Sequence, residues 1–168
     1  LEGIAEFDAG KLGGFVTKGI TRRPWRGNAT PRIVETASGM LNAIGLENVG
    51  VDAFIHEKLP ALEPFGVPII ANVSGETVDD YAEITQKLNT VPDERLAGIE
   101  INISCPNVEH GSMEFGVNPD MTREVVRTVR AEISEGSRKF IMPKLSPNVT
   151  NIGAIAVAAA EGGADALS

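Results

Sequence analysis

A single cysteine stands among carboxamide side chains where an apolar segment of the chain ends. The stretch from Asn102 to Asn107 is Asn-Ile-Ser-Cys-Pro-Asn, and Cys105 is the only cysteine in 168 residues. As a nucleophile, this thiol would normally have a base beside it, and His110 is a weak candidate for that base. As a base, it could remove a proton from carbon if the 105–117 loop shielded it from water. A buried, inert cysteine is the third interpretation.

Polar side chains also stand near the ends of three other predicted strands. Lys18, Asn72 and Lys144 each follow an apolar segment, as Asn102 does. Fixed positive charges stabilise negative charge where it develops, and carboxamides match the alternating C=O and N–H groups at the edge of a planar heterocycle. This set of side chains therefore favours a site for a pyrimidine, a flavin, or both.

Strands and helices alternate along the chain. Strands are predicted over 13–19, 68–74, 99–104 and 140–146, and a fifth begins at 164–168. A helix is predicted from Val51 to Leu62 by the spacing of its apolar residues, and Pro60 is expected to kink it or end it near Leu59. The segment 38–46 has glycines around an apolar middle and is predicted to be a loop.

Capping residues predict where the later helices begin. Thr77 and Asp80 have the spacing of a capping box, and Asn118 followed by Pro119 has the pattern of an N-cap and first helical residue. Thr150 is predicted to cap a last helix of small residues. Each of these helices follows a predicted strand, so the units are strand–helix repeats.

Such repeats predict a parallel sheet, either doubly wound or closed into a (β/α)8 TIM barrel. Core strands of an open parallel sheet tend to be continuously apolar, whereas barrel strands turn polar groups inward near their carboxyl ends, where barrel active sites lie. Polar residues alternate with apolar ones here, and no dinucleotide or P-loop glycine motif follows a strand. We predict a TIM barrel. Because a complete barrel takes about 250 residues, 1–168 are interpreted as a single partial-barrel domain of about four to five βα units.

The composition excludes several classes of partner. The chain has 15 basic and 23 acidic residues, a net charge of −8, which disfavours nucleic acid. No apolar run approaches the ~20 residues that span a bilayer, and the first residues do not form a signal peptide, so a cytoplasmic protein without a membrane partner is expected. No residues with metal-ligand spacing accompany His56, so it is interpreted as a surface histidine and no metal site is predicted.

Five motifs in order along the chain resemble the dihydroorotate dehydrogenase family, and within it class 1B. They are Val16–Lys18, Gly39–Leu46, Pro68–Val73, Glu100–Val108 and Lys144–Thr150. The resemblance implies a (β/α)8 barrel that holds FMN and oxidises dihydroorotate to orotate in de novo pyrimidine (UMP) biosynthesis. It also implies a homodimer and a partner subunit that carries FAD and an iron–sulfur cluster and passes electrons to NAD.

The resemblance implies a role for each motif. Cys105 would be the catalytic base that removes the C5 proton while hydride leaves C6 for the flavin. The residues that would bind FMN are Lys18, Gly19, Asn72, Asn102 and Lys144. Those that would bind the substrate are Lys18, Asn42, Ala43, Ile44, Gly45, Leu46, Asn102 and Asn107.

The family's first strand and last three βα units are expected to be missing from these 168 residues. The chain alone is therefore expected neither to bind FMN tightly nor to turn over. The sequence leaves three alternatives open. They are a pyrimidine-reducing domain like that of dihydropyrimidine dehydrogenase, a cysteine hydrolase in which Cys105 forms an acyl intermediate, and a non-catalytic barrel fragment.

Overall fold

A parallel sheet of four strands organises the computed structural model, which describes residues 9–104 and 115–168. In spatial order the strands are β1 (Phe15–Val16), β4 (Ile69–Val73), β5 (Gly98–Asn102) and β6 (Phe140–Lys144). Helical structure follows each of them before the chain reaches the next strand of this sheet. The predicted alternation of strand and helix is therefore confirmed.

The first helix, α1, changes its geometry along its length. It is α-helical over Gly50–Ala53, π-helical over Phe54–Lys58, α-helical over Leu59–Leu62 and a 3₁₀ turn over Glu63–Phe65. Pro60 has no N–H to donate to the carbonyl of His56, and the widened π turn lies directly before it. The helix therefore continues past the predicted break with a local change of geometry. His56 is exposed, as predicted.

Three further α-helices lie in the described residues: α2 (Val78–Asn89), α3 (Pro119–Ala131) and α4 (Ile152–Glu161). The Thr77 hydroxyl accepts the Asp80 N–H at 3.2 Å and the Asp80 carboxylate accepts the Thr77 N–H at 3.1 Å, which confirms the capping box. The predicted cap at Thr150 is wrong. Since α4 begins at Ile152, the residue before it is Asn151, whose side chain accepts the Ala154 N–H at 3.1 Å.

The two faces of the sheet differ in chemistry. One face is apolar and fully or almost fully buried; its residues are Ile69, Ala71, Val73, Ile99, Ile101 and Ile141. The strand register places Asn72 opposite Glu100 and Asn102 opposite Lys144 on the other face. Helices pack on the apolar face, and α3 contacts both α2 and α4. The predicted alternation of apolar and inward polar positions is confirmed for β4, β5 and β6.

A β-hairpin replaces part of the predicted 38–46 loop. β2 (Ile33–Thr36) pairs antiparallel with β3 (Gly39–Asn42), so that Val34 lies opposite Leu41. Every residue of both strands is exposed. The glycines and apolar residues of 38–46 predict a loop when that segment is considered alone. The β-branched residues of 33–36, which lie outside it, form the strand with which it pairs.

The carboxyl-terminal residues extend the sheet beyond β6. The Leu145 N–H donates to the Ser168 carbonyl at 2.9 Å, and the Ser168 N–H donates to the Pro143 carbonyl at 3.1 Å. The residues 164–168 thus run alongside β6, where the sequence predicts the start of a fifth strand. They do not form a regular strand. Within the part of the chain that the structure describes, no helix is long and apolar enough to cross a bilayer.

A polar cluster fixes the amino-terminal ends of β5 and β6. The Asp93 carboxylate accepts the backbone N–H of Arg138 at 2.7 Å, the Lys139 ammonium at 2.6 Å and the Ser137 hydroxyl at 2.8 Å. Lys139 is only 3% exposed. The Arg138 N–H, followed by Lys139 and Ser137, holds the pKa of Asp93 well below the usual carboxyl range. Asp93 is therefore ionised in the folded protein over the ordinary pH range.

Asp93→Asn is expected to lower the thermal unfolding midpoint of the complete protein by several degrees at pH 7, because it leaves a buried ammonium without its counter-charge. Since folding lowers the pKa of Asp93, the stabilisation of the folded protein by the Asp93 carboxylate is fully present above the usual carboxyl pKa. The contribution is lost as the pH falls through the lowered value. The difference in unfolding midpoint between the wild-type protein and Asp93→Asn should therefore shrink below about pH 4.

The matched control is Glu94→Gln. Glu94 and Arg138 are 3.7 Å apart, with side chains 74% and 77% exposed, so this pair is expected to contribute almost nothing. Equal losses in the two variants across the pH range would contradict the role assigned to Asp93.

Candidate active site

A row of polar side chains crosses three neighbouring strands of the sheet. Asn72 on β4 donates a hydrogen bond from Nδ2 to Oε2 of Glu100 on β5. Asn102, two residues farther along β5, donates from Nδ2 to Oδ1 of Asn72 at 3.4 Å. The row continues to Ser104, whose N–H and hydroxyl both donate to Asn102 Oδ1 at 3.3 Å. The Lys144 ammonium on β6 donates to the Ser104 hydroxyl and ends the row.

This polar row is largely withdrawn from solvent. Asn72 and Glu100 are each 5% exposed and Asn102 is 6% exposed. Among the residues that the structure describes, no buried side-chain nitrogen or oxygen lacks a hydrogen-bond partner. Hydrogen bonds are stronger in such low-dielectric surroundings, so the row holds its side chains in fixed orientations.

Tyr81 on α2 supports the row from behind the sheet. Its side chain is fully buried, and its hydroxyl donates to the Asn102 carbonyl at 2.9 Å. Its ring makes an edge-to-face contact with Phe115, with centroids 5.9 Å apart. Because the hydroxyl reaches through the apolar layer to the end of β5, the backbone position of Asn102 depends on the packing of α2.

The chain bulges just after β1, where Lys18 and Gly19 stand. Val16 pairs with Ile70, but Ile20 pairs with Val73, so the chain from Val16 to Ile20 contains one residue more than the stretch of β4 opposite it. Such a bulge changes the direction of the side chains that it carries. The Lys18 side chain is exposed.

Gly19 lies in close contact with two other predicted site residues. A Cβ at this position would stand 3.1 Å from the Leu46 side chain and 3.2 Å from Asn72 Oδ1. Glycine thus allows the bulge to approach the row closely. Of the predicted residues, the structure brings together Gly19, Leu46, Asn72, Asn102 and Lys144.

The segment 43–46 is fixed by two asparagines. The Asn28 side chain donates to the Ala43 carbonyl at 2.8 Å, and its N–H donates to the Ile44 carbonyl at 3.0 Å. Asn48 donates to the Leu46 carbonyl at 2.8 Å and accepts the N–H groups of Thr21 and Gly50.

Leu46 needs this support because it has a φ of 59°, a left-handed conformation that is unfavourable for a leucine. Gly45, before it, has a φ of 73°. Sequence reasoning missed Asn28 and Asn48, and the only signal for them was the general tendency of asparagine to bond to nearby backbone in turns.

The other predicted substrate residues lie outside this group. Asn42 and Ala43 are exposed at the end of β3, and Ile44 is half-buried in the loop that follows. Cys105, Asn107 and His110 fall outside the described residues, so their predicted roles stay predictions. Glu100 and Ser104 are not among the predicted site residues, yet both are members of the row.

Two cavities lie beside the segment that follows β1, and no residue of the polar row lines either of them. One of about 360 Å³ is lined by residues including Thr21, Leu46 and Ser74. The other, of about 760 Å³, lies along β1 and is lined by residues including Lys18, Gly19 and Phe54. Within residues 9–104 and 115–168, no three His, Cys, Asp or Glu side chains form a group that could hold a metal ion.

Comparison with known proteins identifies the family. The family model described as dihydroorotate dehydrogenase matches residues 2–168. The chain belongs to the dihydroorotate dehydrogenase family. The resemblance found in the five motifs is thereby confirmed, and the sheet with its helices is part of that family's TIM barrel.

Curated relatives agree with this assignment. The dihydroorotate dehydrogenase B (NAD(+)) catalytic subunit of Geotalea uraniireducens (strain Rf4) is 52% identical over 161 residues, which cover 96% of this chain and 51% of the relative. The proteins of the same name from Geobacter metallireducens and Desulforudis audaxviator are 51% and 50% identical, over 94% and 96% of this chain and 50% of each relative. The chain thus spans about half the length of the curated relatives it matches.

Proposed function

We propose that the complete protein containing this chain is an oxidoreductase that oxidises dihydroorotate to orotate in pyrimidine biosynthesis. The observation that supports this most strongly is the row of buried carboxamides and Lys144 on one face of the sheet, in a chain of the dihydroorotate dehydrogenase family. Carboxamides and an ammonium group at fixed positions suit a planar heterocycle that gains negative charge during the reaction.

The residues of the row fit a flavin, and FMN is the flavin that we propose. Asn72, Asn102 and Lys144 offer hydrogen-bond donors from adjacent strands, and Gly19 brings the backbone after β1 close to Asn72. Lys18 adds a second positive charge near the end of β1. When bound, FMN would supply the chemistry of accepting a hydride from the substrate.

The protein's own part in the reaction is to bind the substrate and move one proton. We propose that Cys105 takes the proton from C5 of dihydroorotate, so that the double bond of orotate forms as hydride leaves C6. Asn107 and the 42–46 segment would hold the pyrimidine and its carboxylate, with Asn102 and Lys18 contacting both substrate and flavin. The Asn28 and Asn48 hydrogen bonds would keep the 43–46 part of that segment in place.

The protein is also proposed to work with a second subunit. The relatives are named catalytic subunits of an NAD(+)-dependent enzyme. On this basis we propose that electrons leave the flavin for NAD through a partner that carries FAD and an iron–sulfur cluster, and that the catalytic subunit forms a homodimer.

The direct test of the reaction is anaerobic reduction of the flavin bound to the complete protein. Dihydroorotate is expected to bleach the flavin absorbance and to yield orotate, whereas dihydrouracil is expected to leave the flavin oxidised. Bleaching by dihydrouracil alone would instead identify an enzyme like dihydropyrimidine dehydrogenase. An acyl adduct on Cys105, detected by intact-mass analysis, would point to a hydrolase.

Cys105→Ser in the complete protein is expected to slow flavin reduction by dihydroorotate about 10²–10⁴-fold at neutral pH, because the hydroxyl is a much weaker base than the thiolate. Flavin content should stay at the wild-type level, since the thiol is not proposed to bind the cofactor. Stopped-flow absorbance measures both quantities. An unchanged rate would remove Cys105 from the mechanism and favour the inert-cysteine interpretation.

Gly19→Ala tests the placement of the flavin. The added Cβ meets Leu46 and Asn72 Oδ1 at 3.1 and 3.2 Å, so one of them has to shift, and flavin affinity is expected to fall several-fold. Gly13→Ala is the matched control, because a Cβ there has nothing within 4 Å. Fluorescence titration of each apoprotein with FMN measures the flavin affinity of the two variants. Equal affinities for the two variants would argue against a flavin beside Gly19.

A further inference from the structure

We propose that Glu100 is a positioning residue that fixes which way the carboxamides of Asn72 and Asn102 point, and so determines the hydrogen-bonding groups that they offer to the flavin. The proposal rests on the proposed function, because it assumes that the ligand of the row is a flavin. It adds a role for a carboxylate that would not itself touch the ligand.

Glu100 is held at both of its oxygens. Oε2 accepts the Asn72 amide, and Oε1 accepts the Ser168 hydroxyl at 2.9 Å. The side chain is 5% exposed and lies between the fully buried Ile99 and Ile101 in sequence. Burying a carboxylate has a large desolvation cost, so an apolar residue would serve better if this position only filled space.

The carboxylate sets the direction of the first amide in the row. It can only accept hydrogen bonds, so Asn72 has to turn its NH₂ group toward Glu100. The Asn72 oxygen then points the other way and accepts the Asn102 NH₂ at 3.4 Å. A reversed Asn72 would place its oxygen against the carboxylate, where the two acceptors repel each other.

The far end of the row requires the same direction. The backbone N–H of Ser104 can only donate, and it donates to Asn102 Oδ1 at 3.3 Å. Asn102 therefore turns its oxygen to Ser104 and its NH₂ to Asn72. A pure acceptor at one end and a pure donor at the other thus orient both amides.

This orientation determines what the row can offer a ligand. Each NH₂ group carries two hydrogens, and the structure commits one of each to a neighbour among the described residues. The Asn102 oxygen already accepts two hydrogen bonds from Ser104, and the Asn72 oxygen accepts one from Asn102. Asn72 and Asn102 therefore present N–H donors, which suit the acceptor nitrogens and carbonyls of a flavin ring.

Glu100→Gln is the informative variant because it keeps the shape of the side chain but gives it an NH₂ group. Asn72 can then point either way, and each reversed amide replaces a donor with an acceptor. We expect FMN affinity of the complete protein to fall about tenfold, which is roughly the effect of losing one hydrogen bond to the ligand. Glu100→Asp retains an acceptor-only group and is expected to recover part of the affinity.

The control is Glu124→Gln, since Glu124 is exposed on α3 and its replacement should leave affinity unchanged. Selective ¹⁵N-asparagine labelling gives a readout that does not require bound flavin. In Glu100→Gln the side-chain amide signals of both Asn72 and Asn102 should shift. Those of Asn89, which bonds to Ser134 on the outer surface, should not.

The outcomes separate this proposal from the proposed function. Unchanged Asn102 amide signals in Glu100→Gln, or an equal loss of FMN affinity in Glu100→Asp and Glu100→Gln, would overturn the positioning role. If the wild-type protein binds FMN but dihydroorotate does not reduce it, the proposed dihydroorotate oxidation is wrong. The NMR and affinity comparisons would still decide the role of Glu100.

Discussion

A buried carboxylate on β5 is the constraint on which the rest of the site depends. Glu100 has to be hydrogen-bonded because an unpaired buried charge is strongly unfavourable, and the groups that bond to it come from two other segments of the sheet. Satisfying the carboxylate places the Asn72 amide, which in turn places Asn102. The polar row is thus one connected system, in which removing any member leaves a neighbour without its partner.

The apolar side of the sheet makes this arrangement rigid. The isoleucines of β5 alternate with Glu100 and Asn102, so the packing that buries them also directs the polar side chains to the opposite face. Tyr81 links the two layers through its bond to the Asn102 carbonyl. At the amino-terminal ends of the strands, Asp93 and Lys139 hold the connections that precede β5 and β6. The stability of the sheet and the geometry of the site therefore have common causes.

The sequence predicted the sheet, its polar face and the helix caps at Thr77 and Asn118 because these depend on local periodicity and on short motifs. The alternation in 99–104 alone indicates that Asn102 and Ser104 share a face with Glu100. The hairpin at 33–42, the bulge at Lys18 and the cap at Asn151 could not be predicted in the same way. The first two depend on pairing between separate segments, and the third depends on a one-residue choice of helix start. The hydrogen bonds of Asn28 and Asn48 could not be predicted either, because most of their partners are backbone groups of separate segments.

The most direct test is a crystal structure of the complete protein with FMN and orotate. The flavin ring is expected to lie against the polar row, with Asn72, Asn102 and Lys144 within hydrogen-bonding distance of it and with orotate between the ring and Cys105. A flavin bound elsewhere in the protein, with the row from Glu100 to Lys144 making no contact with either ligand, would contradict the proposed site.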